Sequence, residues 1–87
     1  MSSPFQCGGT ATSLPAFKVP NKTLIRVEQL SGATVYIKIR GTATASDADY
    51  FLGPGDAIEI PANKAPTTDI ISLINAGTNP KIFWSLE

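Results

Sequence analysis

The sequence contains no histidine, and this absence rules out several kinds of chemistry at once. Ser-His-Asp and Cys-His nucleophile systems need an imidazole base, and many metal centres are held by histidine ligands. The 87 residues include a single cysteine, so an internal disulfide and a zinc site built from cysteine and histidine are excluded as well. We therefore expect no catalytic machinery and no cofactor, and we predict that the protein is not an enzyme.

Charged residues are also scarce, and the two signs balance. They make up 16% of the chain, with seven basic and seven acidic side chains. The basic residues are dispersed along the sequence, which argues against a nucleic-acid partner because such a partner needs a clustered basic surface. Neither a long apolar run nor a basic leader is visible, so we expect no membrane span and no secretory signal.

The size of the chain points to association with other proteins. Eighty-seven residues, of which 43% are apolar, fit one domain with a modest core. Burial of apolar area in so small a core roughly balances the conformational entropy that is lost on folding. Since neither a disulfide nor a structural zinc can add stability, we expect contacts with copies of the same chain or with a larger partner.

Residues 1–16 differ in composition from the rest of the chain. They are rich in Ser, Thr, Gly and Ala and contain Gly8-Gly9 and two prolines. This composition predicts a flexible or extended arm before a single β domain over residues 17–87. Phe5 is the apolar anchor by which such an arm would order on a neighbouring subunit, and a frayed terminus is the alternative.

Two segments in the first half of the chain alternate apolar and polar residues. TLIRV, 23–27, and VYIKI, 35–39, both have the period of a half-buried strand. Between them Ser31-Gly32 supplies a residue that adopts positive φ, as a tight turn requires. The pattern predicts that the two strands form an antiparallel hairpin.

The segment GPGDAIEIP, 53–61, resembles the turn and strand that open the metal-binding arm of cupin enzymes. That family holds its metal mainly with histidines on neighbouring strands, and this chain has none. The segment is therefore interpreted as architecture. It predicts a turn between the short apolar piece 50–52 and a strand over 57–60, in a second hairpin that Pro61 ends.

The last third of the chain predicts two more strands. Residues 69–77, DIISLINAG, fit a doubly buried strand or a short helix, and the flanking turn signals and three isoleucines favour the strand. The terminal segment KIFWSLE, 81–87, alternates again. Six to seven short strands without a convincing amphipathic helix indicate an all-β fold, either a small antiparallel β-sandwich or a jelly-roll-like barrel.

Few residues are candidates for a chemical site. Asp47, Asp49 and Asp56 bring carboxylates close together in the sequence, and a cation such as calcium accepts such ligands. Their spacing matches no known loop class, and a solvated acidic loop is the alternative. Cys7, the lone cysteine, is interpreted as structurally incidental rather than reactive.

Aromatic residues are the stronger candidates for binding. Alternation places Tyr36 and Phe83 on strand faces that point away from the buried residues, so these two should lie outside a single core. Exposed aromatics on a small domain favour an interface, although a second core or a covering loop explains them equally. The predicted partner-binding residues are Phe5, Phe17, Tyr36, Tyr50 and Phe83.

The order of these segments resembles a group of virus proteins. The segments are TLIRVEQLSGATVYIKI (23–39), a Thr/Ala/Asp loop, YFLGPGDAIEIP (50–61) and the terminal KIFWSLE. Together they are similar to the small all-β virion structural proteins of tailed bacteriophages, in particular capsid decoration, or cement, proteins. The resemblance covers residues 21–87.

This resemblance implies a non-enzymatic virion protein, made in the host cytoplasm and located on the capsid surface. It also implies a homo-oligomer, with a trimer favoured, that binds the major capsid protein and stabilises the phage head. It implies no nucleic-acid partner and no membrane partner. Similar β proteins occur in phage necks, tails and fibres, so a binding or adhesion module of that kind is the alternative function.

Overall fold

The computed structural model of the chain describes residues 2–75 and 79–87. Within these residues the chain forms eight β-strands and one 3-10 turn, and no helix there is long and apolar enough to cross a membrane. The strands are Ser2–Gln6 (β1), Thr12–Ser13 (β2), Lys22–Val27 (β3), Val35–Ile39 (β4), Tyr50–Leu52 (β5), Ala57–Pro61 (β6), Ile71–Asn75 (β7) and Lys81–Leu86 (β8), and the 3-10 turn is Thr68–Ile70. The strand predicted within 69–77 is confirmed over Ile71–Asn75, and residues 76–77 lie outside the described part of the chain.

The strands form two four-stranded antiparallel sheets. The first sheet has the order β1-β8-β3-β6, and the second has the order β2-β7-β4-β5. Thus β1 pairs with β8, β2 with β7, β3 with β6 and β4 with β5, as in one long ribbon folded over and wound into two stacked sheets. This is the strand order of a jelly roll. The predicted all-β fold class is confirmed.

The core lies between the two sheets and follows the alternation of the sequence. In β3 the residues Thr23, Ile25 and Val27 point inward and are buried, and in β4 Val35 and Ile37 are buried in the same way. Burying one large apolar side chain contributes roughly 1.5–3 kcal/mol, so the four apolar residues of this set each stabilise the fold appreciably. The other strands add further fully buried side chains, including Ile60, Ile71, Leu73 and Ile82.

The predicted hairpin between the two alternating segments is wrong. β3 pairs with β6 and β8 in the first sheet, whereas β4 pairs with β5 and β7 in the second. Gly32 does adopt positive φ, at 79°, but its turn lies in a connection that crosses from one sheet to the other. A period of two indicates which side chains face the core, and it does not indicate which strands are neighbours.

The second predicted hairpin is wrong for the same reason. The turn itself is present, since Gly55 has a φ of 78° and the Asp56 carboxylate accepts a hydrogen bond from the Gly53 N–H at 2.8 Å. This turn joins β5 of the second sheet to β6 of the first. A Cβ atom at Gly55 would clash with the Gln29 side chain of the β3–β4 connection, so the two crossings pack closely against each other.

The structure does not support a separate N-terminal arm over residues 1–16. β1 extends the first sheet beside β8, and β2 extends the second sheet beside β7. Cys7, which follows β1, and Leu14, which follows β2, are buried in the common core. The composition of this segment did not predict that it forms two edge strands. Backbone hydrogen bonds to a free strand edge require no particular side chain, so a low apolar content is compatible with them.

Candidate functional site

Carboxylates and thiols do not gather into a reactive cluster in residues 2–75 and 79–87. No three Asp, Glu, Cys or His side chains there are placed to hold a metal ion. Asp47 forms an ion pair with Lys38 at 2.9 Å, and Asp49 and Asp56 each accept a hydrogen bond from a backbone N–H. Each of the three acidic residues has its own structural partner, so they do not form the cation site considered from the sequence.

Cys7 is closed off from solvent. Its side chain is fully buried in the core, and burial raises the pKa of the thiol to about 11. Because the thiolate is the reactive form of cysteine, this thiol is a weak nucleophile at neutral pH. The role of Cys7 in the structure is therefore packing.

The outer face of the first sheet is an open and largely apolar surface, here named the Phe83 face. Phe83 is 43% exposed. It lies opposite Arg26 of β3, and Arg26 lies opposite Ala57 of β6. The face forms a groove of about 590 Å³, and every residue that lines it belongs to β3, β6 or β8. The lining includes Leu24, Arg26, Ala57, Glu59, Phe83 and Ser85.

The outer face of the second sheet carries another aromatic surface, here named the Phe51 face. Phe51 on β5 lies opposite Tyr36 on β4, and Tyr36 lies opposite Ile74 on β7. Cross-strand neighbours of this kind pack side by side on one face of a sheet. Phe51 is 73% exposed, whereas Tyr36 and Ile74 are half-buried. The row therefore ends in an aromatic ring that is mostly in water.

A loop over residues 40–49 covers another part of the same outer face. Ser72 points outward from β7 but is buried, and its Oγ accepts a hydrogen bond from the Ala43 N–H at 3.1 Å. Lys38 also points outward, and its hydrogen bond to Asp47 in the loop raises the pKa of the lysine ammonium. These two contacts hold the loop on the second sheet and leave the Phe51 end exposed.

The structure separates the four predicted partner-binding residues whose side chains it describes. Tyr36 and Phe83 lie on outer faces, as alternation predicted, but on different sheets and so on opposite sides of the sandwich. Phe17 and Tyr50 pack against the core cluster. The backbone of Phe5 belongs to β1, and its side chain lies outside the described part of the structure. The four residues whose side chains the structure describes do not form one surface.

Phe51 is an exposed aromatic residue that sequence reasoning did not select. Its neighbours Tyr50 and Leu52 point inward, so alternation alone would have placed it outside. A strand of three residues is too short to make that pattern persuasive. Leu30, at 39% exposed, is a further large apolar side chain in contact with water, and it lies in the β3–β4 connection rather than on a sheet face.

A polar pocket, here named the Arg40 pocket, lies where β4 ends and β5 begins. Lys64 Nζ donates a hydrogen bond to the Tyr50 hydroxyl at 3.2 Å and lies 5.8 Å from the centre of the ring. Arg40 has a φ of 59°, in the left-handed region, which costs a non-glycine residue roughly 1–2 kcal/mol. The pocket has a volume of about 530 Å³ and is lined by Ile39, Arg40, Asp49, Tyr50, Asn63 and Lys64.

Sequence reasoning missed the Arg40 pocket entirely. Arg40 follows β4, and Lys64 lies in the turn that follows β6, so the two cations belong to connections on different sheets. No local spacing pattern relates such residues. Only the stacking of the two sheets brings them to one concave surface.

Comparison with known proteins identifies no relative. The chain matches no protein-family model, no curated protein and no solved structure. Its function must be inferred from the surfaces themselves.

Proposed function

We propose that the protein is a virion structural protein of the capsid decoration, or cement, type, which binds the major capsid protein as a homotrimer and stabilises the phage head. The observation that supports this proposal is a pair of exposed aromatic residues on opposite sides of a thin sandwich. Phe83 lies on the outer face of the first sheet, and Phe51 lies on that of the second. The Cα atoms span only 17 Å along the shortest axis of the molecule.

Exposed aromatic rings are the kind of side chain that anchors protein interfaces. They bury a large area for a small loss of conformational freedom, and they are enriched at the centres of interfaces. A protein that sits on a shell and also contacts its own copies needs more than one such anchor. The Phe83 face and the Phe51 face meet that requirement with a single small domain.

The fold and the charge are compatible with the same role. Jelly rolls occur in viral capsid proteins, and a closed antiparallel core resists deformation. The seven basic and seven acidic side chains leave no net charge. Many copies can therefore pack closely on one particle without strong mutual repulsion.

A second candidate function is a binding or adhesion module in a phage neck, tail or fibre. The Arg40 pocket favours this alternative, because a concave site with two cations and several hydrogen-bonding groups is suited to a small polar ligand. The two candidate functions differ in the expected copy number on the particle. They also differ in the binding surface, which is the Phe83 and Phe51 faces for decoration and the Arg40 pocket for the alternative.

Quantitative peptide mass spectrometry of purified particles distinguishes these roles. The particles are those of the virus that encodes the chain, and the chain is quantified against the major shell protein. A ratio approaching about one copy per shell subunit supports decoration. A few copies per particle support the neck, tail or fibre alternative, and absence from particles contradicts both.

Rebinding of purified chain to particles that lack it then tests the two faces. Phe83→Ser and Phe51→Ser each remove one aromatic anchor, and we expect binding of at least one variant to fall roughly tenfold or more. Leu30→Ser is the matched control, because it removes an exposed apolar side chain outside both faces. Sedimentation of the free variants separates a lost shell contact from a lost contact between copies. Unchanged binding of both phenylalanine variants would contradict the assignment of these faces.

A further inference from the structure

The Arg40 pocket holds two cations that have no carboxylate partner in the described part of the chain. The ion pairs formed there involve Lys22 and Lys38, and neither Arg40 nor Lys64 takes part in one. Lys64 instead contacts the hydroxyl group and the ring of Tyr50. A guanidinium and an ammonium that line one concave space are suited to binding an anionic group.

The backbone at Arg40 adds a second, independent observation. Its φ of 59° is readily adopted by glycine or asparagine and is unfavourable for arginine. The Arg40 N–H donates a hydrogen bond to the Ile70 carbonyl oxygen at 2.9 Å, which holds this conformation at the end of β4. A strained residue whose side chain lines a pocket points to a function of that side chain.

Asp49 restricts the kind of anion that the pocket accepts. The lining carries two positive charges, of Arg40 and Lys64, and one negative charge, of Asp49, so its net charge is +1. A monovalent carboxylate neutralises this net charge, whereas a phosphate dianion would leave an uncompensated negative charge beside Asp49 and would cost more to remove from water. Oδ2 of Asp49 accepts the Ile39 N–H at 2.7 Å, and a carboxylate has further lone pairs that can accept from a ligand hydroxyl.

We propose that the Arg40 pocket binds a sugar that carries one carboxylate, of the uronic acid class. The sugar carboxylate binds the Arg40 guanidinium and the Lys64 ammonium. Its hydroxyls hydrogen-bond to the Asp49 carboxylate and the Asn63 amide, while its C–H face lies on the apolar part of the lining. The volume of about 530 Å³ is sufficient for a monosaccharide. This site is independent of the proposed binding to the capsid.

NMR titration of the purified chain with glucuronate tests the proposal. We expect a dissociation constant on the order of 1 mM, with the largest amide shifts at residues that line the pocket. Glucose has the same ring without the carboxylate and is the neutral control ligand. Inorganic phosphate is the second control, because it tests whether any anion is accepted.

Arg40→Gly separates ligand binding from a structural role. Glycine adopts positive φ freely, so the variant should unfold at the same denaturant concentration as the wild type or at a higher one. Its dissociation constant for glucuronate should rise roughly tenfold or more, and Lys64→Gln should weaken binding in the same direction. Arg26→Gln removes an exposed arginine from the Phe83 face and should leave the dissociation constant unchanged.

Several outcomes would overturn the proposal. They are equal shifts with glucuronate and glucose, tighter binding of phosphate than of glucuronate, or unchanged binding by Arg40→Gly. The titration uses the free chain, whereas the test of capsid decoration uses virus particles. Failure of one proposal is therefore distinguishable from failure of the other.

Discussion

The outer faces of the two sheets are built from similar strands, but the loops of the chain cover one face more than the other. On the second sheet, the loop over residues 40–49 covers part of the face and buries Ser72. On the first sheet, the groove beside Phe83 is lined by strand residues alone. A chain of 87 residues thus closes part of one sheet with its own loop and leaves the other sheet open to solvent.

Ser72 and Ser85 allow the strongest test of this difference, because both point outward from their strands. Ser72→Val removes the acceptor of the Ala43 N–H and should lower the free energy of unfolding by about 1–3 kcal/mol, since a buried donor loses its partner. Ser85→Val on the open Phe83 face should change that free energy by less than about 0.5 kcal/mol. Urea unfolding measures both values. Equal effects at the two positions would contradict the distinction between a covered and an open face.

Both sheets share one closed core that includes Cys7 of the N-terminal segment, and the thiol of Cys7 allows a test of this closure. The pKa of its thiol is raised to about 11, so the folded state holds the proton more tightly than the unfolded chain. This contribution to stability is fully present below the unfolded pKa and is lost as the pH rises from about 9 through about 11.

Cys7→Ala should therefore remove part of the alkaline loss of stability, as measured by urea unfolding at about pH 8 and about pH 10.5. The variant is compared with the wild type at each pH, so that effects of alkaline pH on the rest of the chain cancel. Alkylation by iodoacetamide at neutral pH should be slow in the folded chain and fast in urea. Equally fast alkylation in both states would show that residues 1–16 do not close the core.

The two exposed phenylalanines should differ modestly in the free chain. Phe83→Ser should lower the free energy of unfolding by about 1 kcal/mol, because Phe83 is only 43% exposed and part of its ring packs on the sheet. Phe51→Ser should lower it by less than about 0.5 kcal/mol, because Phe51 is 73% exposed. Urea unfolding at low protein concentration measures both. A larger loss of unfolding free energy for Phe51→Ser than for Phe83→Ser would contradict the conclusion that Phe83 is the more buried of the two.

The smallest effects are expected at the two ion pairs. Lys38–Asp47 anchors the covering loop, and Lys22–Glu59 lies on the open sheet. Asp47→Asn and Glu59→Gln should each lower the unfolding temperature slightly at low salt and not measurably at high salt, since exposed ion pairs are weak and screened. A large loss at high salt for Asp47→Asn alone would show that the loop depends on this contact more than on Ser72.

Alternation predicted much of the fold and part of the candidate surfaces. It located the segments of β3, β4 and β8 and the outward direction of Tyr36 and Phe83, because the side chains of a strand with one buried face repeat every two residues. The segment of β7 was located instead by its flanking turn signals and its isoleucines. Alternation failed on both hairpins. Ser31-Gly32 and the GPGD segment do form turns, but a turn that reverses the chain within a sheet and one that crosses between sheets use the same residue types.

By itself, the sequence determined that the protein is a small all-β domain with aromatic side chains left outside its core. Composition and the two-residue alternation can be read from short segments, whatever the pairing of the strands. Only the tertiary structure decided that the strands wind into a jelly roll, that Cys7 and Leu14 complete the core, and that Ser72 is covered while Phe83 is not. It also decided that Arg40 and Lys64 share one pocket. These outcomes depend on which sheet each strand joins, and that choice is made by packing between residues far apart in the chain.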